Sequence, residues 1–84
     1  MLRAITVWTV AELATMLERP VAEIDSTATF AQLGIDSGMA THLLLALEDK
    51  LQIELDPDKV AELPTIDALC AYAVDLARRR ERRS

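Results

Sequence analysis

The sequence predicts an all-α domain of three main helices and one short helical element. Three observations lead there. Apolar residues recur at helical spacing in three stretches: Val10, Leu13, Ala14 and Leu17; Met39, Leu43, Leu47 and Leu51; and Ile66, Leu69, Cys70, Ala73 and Leu76. Among 84 residues only two are glycine and three proline, while Ala, Leu and Glu recur, which favours helix over sheet. Capping residues stand ahead of the helical stretches: Thr9, Asp36 with Ser37, Asp56 with Pro57, and Thr65. No long alternating pattern argues for a strand.

Taken in order, Thr9-Val10-Ala11-Glu12 has the form of a capping box, in which Thr accepts from the N3 amide and Glu reaches back to the cap. A first helix is expected at about 7–18, starting there or slightly earlier at Thr6. Arg19-Pro20 ends it, because the residue before proline avoids the helical region. Trp8 is expected at the core edge. Residues 19–36 form a connection longer than most helix–helix loops. Val21, Ile24, Phe30, Leu33 and Ile35 should pin it to the core, and Ser26, Thr27 and Thr29 should bond to nearby backbone.

A second helix is expected at about 37–51. Its core face is Met39, Ala40, Leu43, Leu44, Leu47 and Leu51, and its outer face holds Thr41, His42, Leu45, Glu48, Asp49 and Gln52. Asp56-Pro57 opens a short third helix at about 57–62, which Leu63-Pro64 stops. Thr65 caps a fourth helix whose core stripe is Ile66, Leu69, Cys70, Ala73 and Leu76. That helix is expected to fray within residues 78–83. Val60 and Leu63 should close the core near the start of the second helix.

The length suits one small domain. The expected division is a body at 1–77 and a basic C-terminal tail at 78–84. Residues 1–77 carry 13 acidic and 4 basic side chains, a balance of −9, while residues 78–84 carry five Arg and one Glu, a balance of +4. An acidic body argues against nucleic acid, whose phosphates need a basic face, and suits basic patches on enzyme partners. The single cysteine, Cys70, excludes an internal disulfide and reads as a buried thiol. No secretory signal or membrane-length apolar run is visible, and no metal-ligand cluster, so a cytoplasmic monomer without metal is expected.

The stretch Leu33-Gly34-Ile35-Asp36-Ser37 carries the functional signal. It places a serine hydroxyl at a helix start, where unpaired amides and the dipole favour an attached anion. Serine catalysis is disfavoured. His42, the only histidine, lies five residues on, about 500° around a helix, and no Gly-x-Ser-x-Gly elbow is present. No catalytic residue is assigned, and the chain is not read as an enzyme.

That stretch, followed by a helix ending Ala46-Leu47-Glu48-Asp49-Lys50-Leu51, and then Ile53-Glu54-Leu55, Leu63-Pro64-Thr65-Ile66 and Leu69, resembles the acyl carrier protein family. The resemblance covers about residues 9–77, in order and spacing. It implies a small four-helix bundle of acyl-carrier type, with a long loop between helices 1 and 2 and a short helix 3. It implies a 4′-phosphopantetheine arm on Ser37, transferred from coenzyme A by a phosphopantetheinyl transferase. Asp36 would then both cap the helix and assist recognition by that transferase.

The resemblance further implies that Glu48 and Asp49 meet basic residues on partner enzymes; Gly38, Met39, His42 and Leu45 are read as part of the same surface, met by an acyltransferase, ligase or ketosynthase. Two positions depart from the family. Glycine follows the serine where most carriers have leucine, and His42 stands where another acid is common. The second departure argues against fatty-acid synthesis. Asp36 before the serine differs from the Gly-Gly-His-Ser usual in nonribosomal peptidyl carriers, while Met39-Ala40 and Ile53-Glu54-Leu55 look more like polyketide synthase carriers. The expected function is a separate carrier holding acyl thioesters, aminoacyl ones among them, in polyketide or related secondary metabolism, such as antibiotic biosynthesis. The alternatives are a carrier for fatty-acid or nonribosomal peptide synthesis, or a cofactor-free helical interaction module.

Overall fold

In the computed structural model, which describes residues 1–83, the first helix, α1, spans Leu2–Leu17. It starts five residues before the expected position. No side chain caps its start at Met1, and Thr9 is wholly buried in mid-helix, not a cap. The reason is the row Ile5, Thr9, Leu13. Ile5 and Leu13 are buried, and Thr9 completes the stripe because its hydroxyl is satisfied inside the core by the Cys70 thiol, which donates at 3.4 Å. Trp8 is half-buried, and the Lys50 ammonium lies 5.5 Å from its ring centroid.

The chain leaves α1 through Glu18, a left-handed residue at φ 54°, and a short 3₁₀ turn at Val21–Glu23. Of the expected loop anchors, Ile24, Leu33 and Ile35 are buried and Phe30 is half-buried. Val21 is 54% exposed, because it stands on the outer side of that turn. The Asp25 carboxylate accepts from both the Thr27 hydroxyl and the Thr27 amide, which holds it below the usual carboxylate range.

The rest of the loop is one helical turn with both ends capped. Thr29 Oγ1 accepts from the Gln32 amide, and Gln32 Oε1 accepts from the Thr29 amide. Gly34, at φ 78°, ends the turn, with its amide on Ala31 O and the Ile35 amide on Phe30 O. A side chain there would have to adopt the left-handed region, which is why glycine occupies it. The loop is also tied to the joint before the last helix: Phe30 N donates to Pro64 O and Asp67 N to Ser26 O, each at 3.1 Å.

The second helix, α2, spans Ser37–Leu51, with Leu43 and Leu47 wholly buried. It ends in a second left-handed residue, Gln52 at φ 55°. The third, α3, spans Pro57–Ala61 behind the Asp56 cap, whose Oδ1 accepts from the Asp58 amide. The fourth, α4, spans Ile66–Arg83, with Thr65 Oγ1 accepting from the Ala68 amide. Its buried stripe adds Val74 and Ala77 to the expected residues, and Leu76 is half-buried. The expected fraying after residue 77 is not seen. Arginine is a good helix former, Arg79 bonds Asp75 one turn back at 3.0 Å, and positive charge suits a helix C-terminus. Ser84 lies outside the described residues.

The helices α1, α2 and α4 pack on one another around a single core. Among the described residues no helix is long and apolar enough to cross a membrane. Burial pushes the Cys70 thiol above its usual pKa, which keeps it protonated at neutral pH. Alkylation of Cys70 by iodoacetamide at pH 7 should therefore be orders of magnitude slower in the native protein than in denaturant. Equal rates would contradict its placement in the core.

Candidate functional site

The capped loop turn delivers the site. Gly34 reverses the chain, Ile35 anchors it in the core, and Asp36 and Ser37 emerge exposed at the start of α2. Asp36 is the N-cap, with Oδ1 accepting from the Met39 amide at 2.8 Å. Ser37 is the first helical residue and not the cap, so its hydroxyl is not consumed by the helix start. Among the described residues that hydroxyl has no hydrogen-bond partner. Its carbonyl accepts from Thr41 Oγ1 at 2.8 Å.

By helix geometry the amides of Ser37 and Gly38 lack intrahelical acceptors. A phosphate ester on Ser37 Oγ would sit beside those amides at the positive end of the dipole. Two hollows flank the serine. One, of about 330 Å³, is walled mainly by Phe30, Ile35, Ala40, Leu44, Val60 and Leu63. Val60 and Leu63 thus close that end of the core as expected. The other, of about 450 Å³, is a shallow notch bounded by Met16, Asp36, Gly38, Met39 and His42. An exposed hydroxyl, open amides and an apolar cleft alongside fit a covalently attached phosphopantetheine arm.

The residues expected at a partner surface differ in their settings on α2. Gly38, His42, Leu45 and Asp49 fall on one exposed stripe of α2, at spacings of four, three and four residues. Leu45 is 58% exposed. Met39 is half-buried beside the notch. Glu48 is half-buried, and its Oε2 accepts from the Leu55 amide at 2.7 Å, so it braces the turn after α2. Glu48 and Asp49 lie 11 and 12 residues along the helix from Ser37, about 17 Å at about 1.5 Å per residue.

Sequence reasoning missed two features. The reciprocal Thr29–Gln32 cap was legible as Thr-x-x-Gln, which places the turn that aims Ser37. The Glu48 brace spans seven residues and has no local signature. Gly38 is not demanded by space, since a Cβ there would meet only Asp36 Oδ1, at 3.4 Å. Gly38→Ala should therefore stabilise the fold by up to about 1 kcal/mol through helix propensity. A thermal melt checks this, and a lowered midpoint would show that the glycine backbone is needed.

Residues 8–73 match the family described as phosphopantetheine attachment site. Acyl carrier protein 3 of Ralstonia nicotianae is 33% identical over 61 residues, covering 71% of this chain and 70% of the relative. Polyketide synthase PksM of Bacillus subtilis is 35% identical over 63 residues, covering 75% of this chain and 2% of that synthase, so the chain spans only a small part of that relative's length. A free-standing peptidyl carrier protein from an uncharacterised secondary metabolic pathway of Acinetobacter baumannii superimposes with a TM-score of 0.70 at 33% identity, covering 86% of each chain. The chain accordingly belongs to the phosphopantetheine-attachment family, the carrier proteins that hold a covalent 4′-phosphopantetheine.

Proposed function

We propose that Ser37 is the residue that carries the arm, and that the chain presents acyl thioesters to enzymes of polyketide or related secondary metabolism. The observation that carries this reading is the exposed Ser37 hydroxyl at the first position of α2, within the matched segment. The arm's thiol supplies the thioester chemistry, and the protein supplies presentation. Asp36 fixes the turn and offers an acidic contact to the phosphopantetheinyl transferase. Gly38, Met39, His42, Leu45 and Asp49 form the face that meets an acyltransferase, ligase or ketosynthase. Glu48 contributes there mainly by holding Leu55. The chain works as a monomer in the cytoplasm, and its partners perform the bond-making steps.

The likeness to a polyketide synthase segment and to an acyl carrier supports acyl cargo. A second reading, aminoacyl or peptidyl cargo, is favoured by the likeness to a free-standing peptidyl carrier protein. The test is incubation with coenzyme A and a broad-specificity phosphopantetheinyl transferase, followed by intact-protein mass. One added phosphopantetheinyl group is the expected result. The holo protein is then offered to a malonyl-specific acyltransferase and, separately, to an amino-acid-activating domain. Loading by the first supports the acyl reading, and loading by the second alone replaces it.

A further inference from the structure

We propose that the end of the bundle remote from Ser37 is a second docking surface, shaped for an acidic, leucine-bearing segment of a partner protein. Three elements meet there: the start of α1, the end of α2 and the end of α4. They enclose a cleft of about 380 Å³ lined by Met1, Lys50, Leu51, Ala77, Arg80 and Glu81. Its floor is apolar, and two of its three charged residues are cations. Lys50 and Leu51 lie 13 and 14 residues along α2 from Ser37, about 20 Å at about 1.5 Å per residue. The cleft is therefore separate from the attachment serine itself.

Two further observations bear on the occupant. On the α1 side the cleft is bordered by Met1, an apolar side chain that is 51% exposed. The end of α4 is also more basic than the body: Arg78, Arg79 and Arg80 stand together on it with one acid, Glu81. Arg79 is paired with Asp75, and Lys50 is held over Trp8. Arg80 also borders a neighbouring cleft with Asp49 and Glu54, so an acidic partner must approach from the α1–α4 side.

An apolar floor with a cationic rim complements a leucine flanked by carboxylates. A second copy of this chain fits less well, since its acidic faces would give a head-to-tail contact that does not close. An anionic membrane attracts the arginines but repels the −9 body.

The test uses isotope-labelled holo protein and the synthetic peptide Asp-Glu-Leu-Glu-Asp-Leu-Leu-Glu-Asp. Saturable binding is expected, with the largest amide shifts at Lys50, Leu51, Ala77 and Arg80 and little change at Ser37. Arg80→Glu and Lys50→Glu should each weaken binding by roughly tenfold or more, the scale of reversing a close charge pair. A peptide with serine for each leucine should bind as weakly. Transferase modification should proceed unchanged in both variants, which separates this surface from the role of Ser37. The proposal is overturned by no saturable binding, by equal binding of the serine peptide, or by shifts centred elsewhere. It is likewise overturned if phosphatidylserine vesicles bind and the peptide does not, or if the cleft is occupied by self-association in sedimentation.

Discussion

Ser37→Ala is expected to abolish attachment of phosphopantetheine while leaving the fold in place. The two effects separate because the structure divides the work between neighbours. Asp36 caps α2 through the Met39 amide, and among the described residues the Ser37 hydroxyl has no partner. Alanine is a good residue at the first helical position, so the stability change should stay within about 0.5 kcal/mol. Asp36→Ala removes the cap and costs about 1 kcal/mol, and it should slow modification without abolishing it, since the nucleophile stays in the chain. Another hydroxyl of α2, on Thr41, donates to the Ser37 carbonyl one turn further on and is not at the open end of the helix. Intact-protein mass after transferase treatment, with circular dichroism melts of both variants, reads the two roles separately. A modified Ser37→Ala protein would move the attachment site elsewhere, and a collapsed helical signal would make Ser37 structural.

The features legible in the sequence are those set by local chemistry. The start of α2 follows from Asp36 and the periodic leucines, and α3 from Asp56 and Pro57, with an observed end one residue short of the expected one. The start of α1 was misplaced because Thr9 was read as a polar cap. Its hydroxyl is paired with Cys70, a residue 61 positions away, and no local pattern shows that pairing. The same limit applies to Glu48. As an acid on the outer face of α2 it reads as a partner contact, and no local pattern shows that the turn after the helix also brings the Leu55 amide onto it. The serine itself needed no tertiary information, because helix starts are encoded locally. What the sequence left open was the order in the loop before it, where the Thr29–Gln32 cap and Gly34 fix the direction in which Ser37 is presented.

The largest stability effect is expected from Leu47→Ala. Leu47 is fully buried among α1, α2 and α4, and deleting its branched end removes apolar burial and leaves a void. Such truncations cost about 2–5 kcal/mol. A domain of this size holds a total stability near the lower end of about 5–15 kcal/mol, and each kcal/mol shifts the midpoint by about 4–8 °C. Leu47→Ala should therefore melt at least about 10 °C below the parent, or populate the unfolded state at room temperature. Modification at Ser37 should fall with it, since the transferase acts on a formed helix start. Leu45→Ala, two residues away, is the counterpart. At 58% exposure Leu45 contributes little to the core, and its removal should shift stability by no more than about 0.5 kcal/mol. Its effect should appear in loading by an acyltransferase or other partner that rides along α2. If both variants melted like the parent, the helical phase of α2 would be wrong. Because that phase also sets where Gly38, His42 and Asp49 face, the proposed partner stripe would be lost with it.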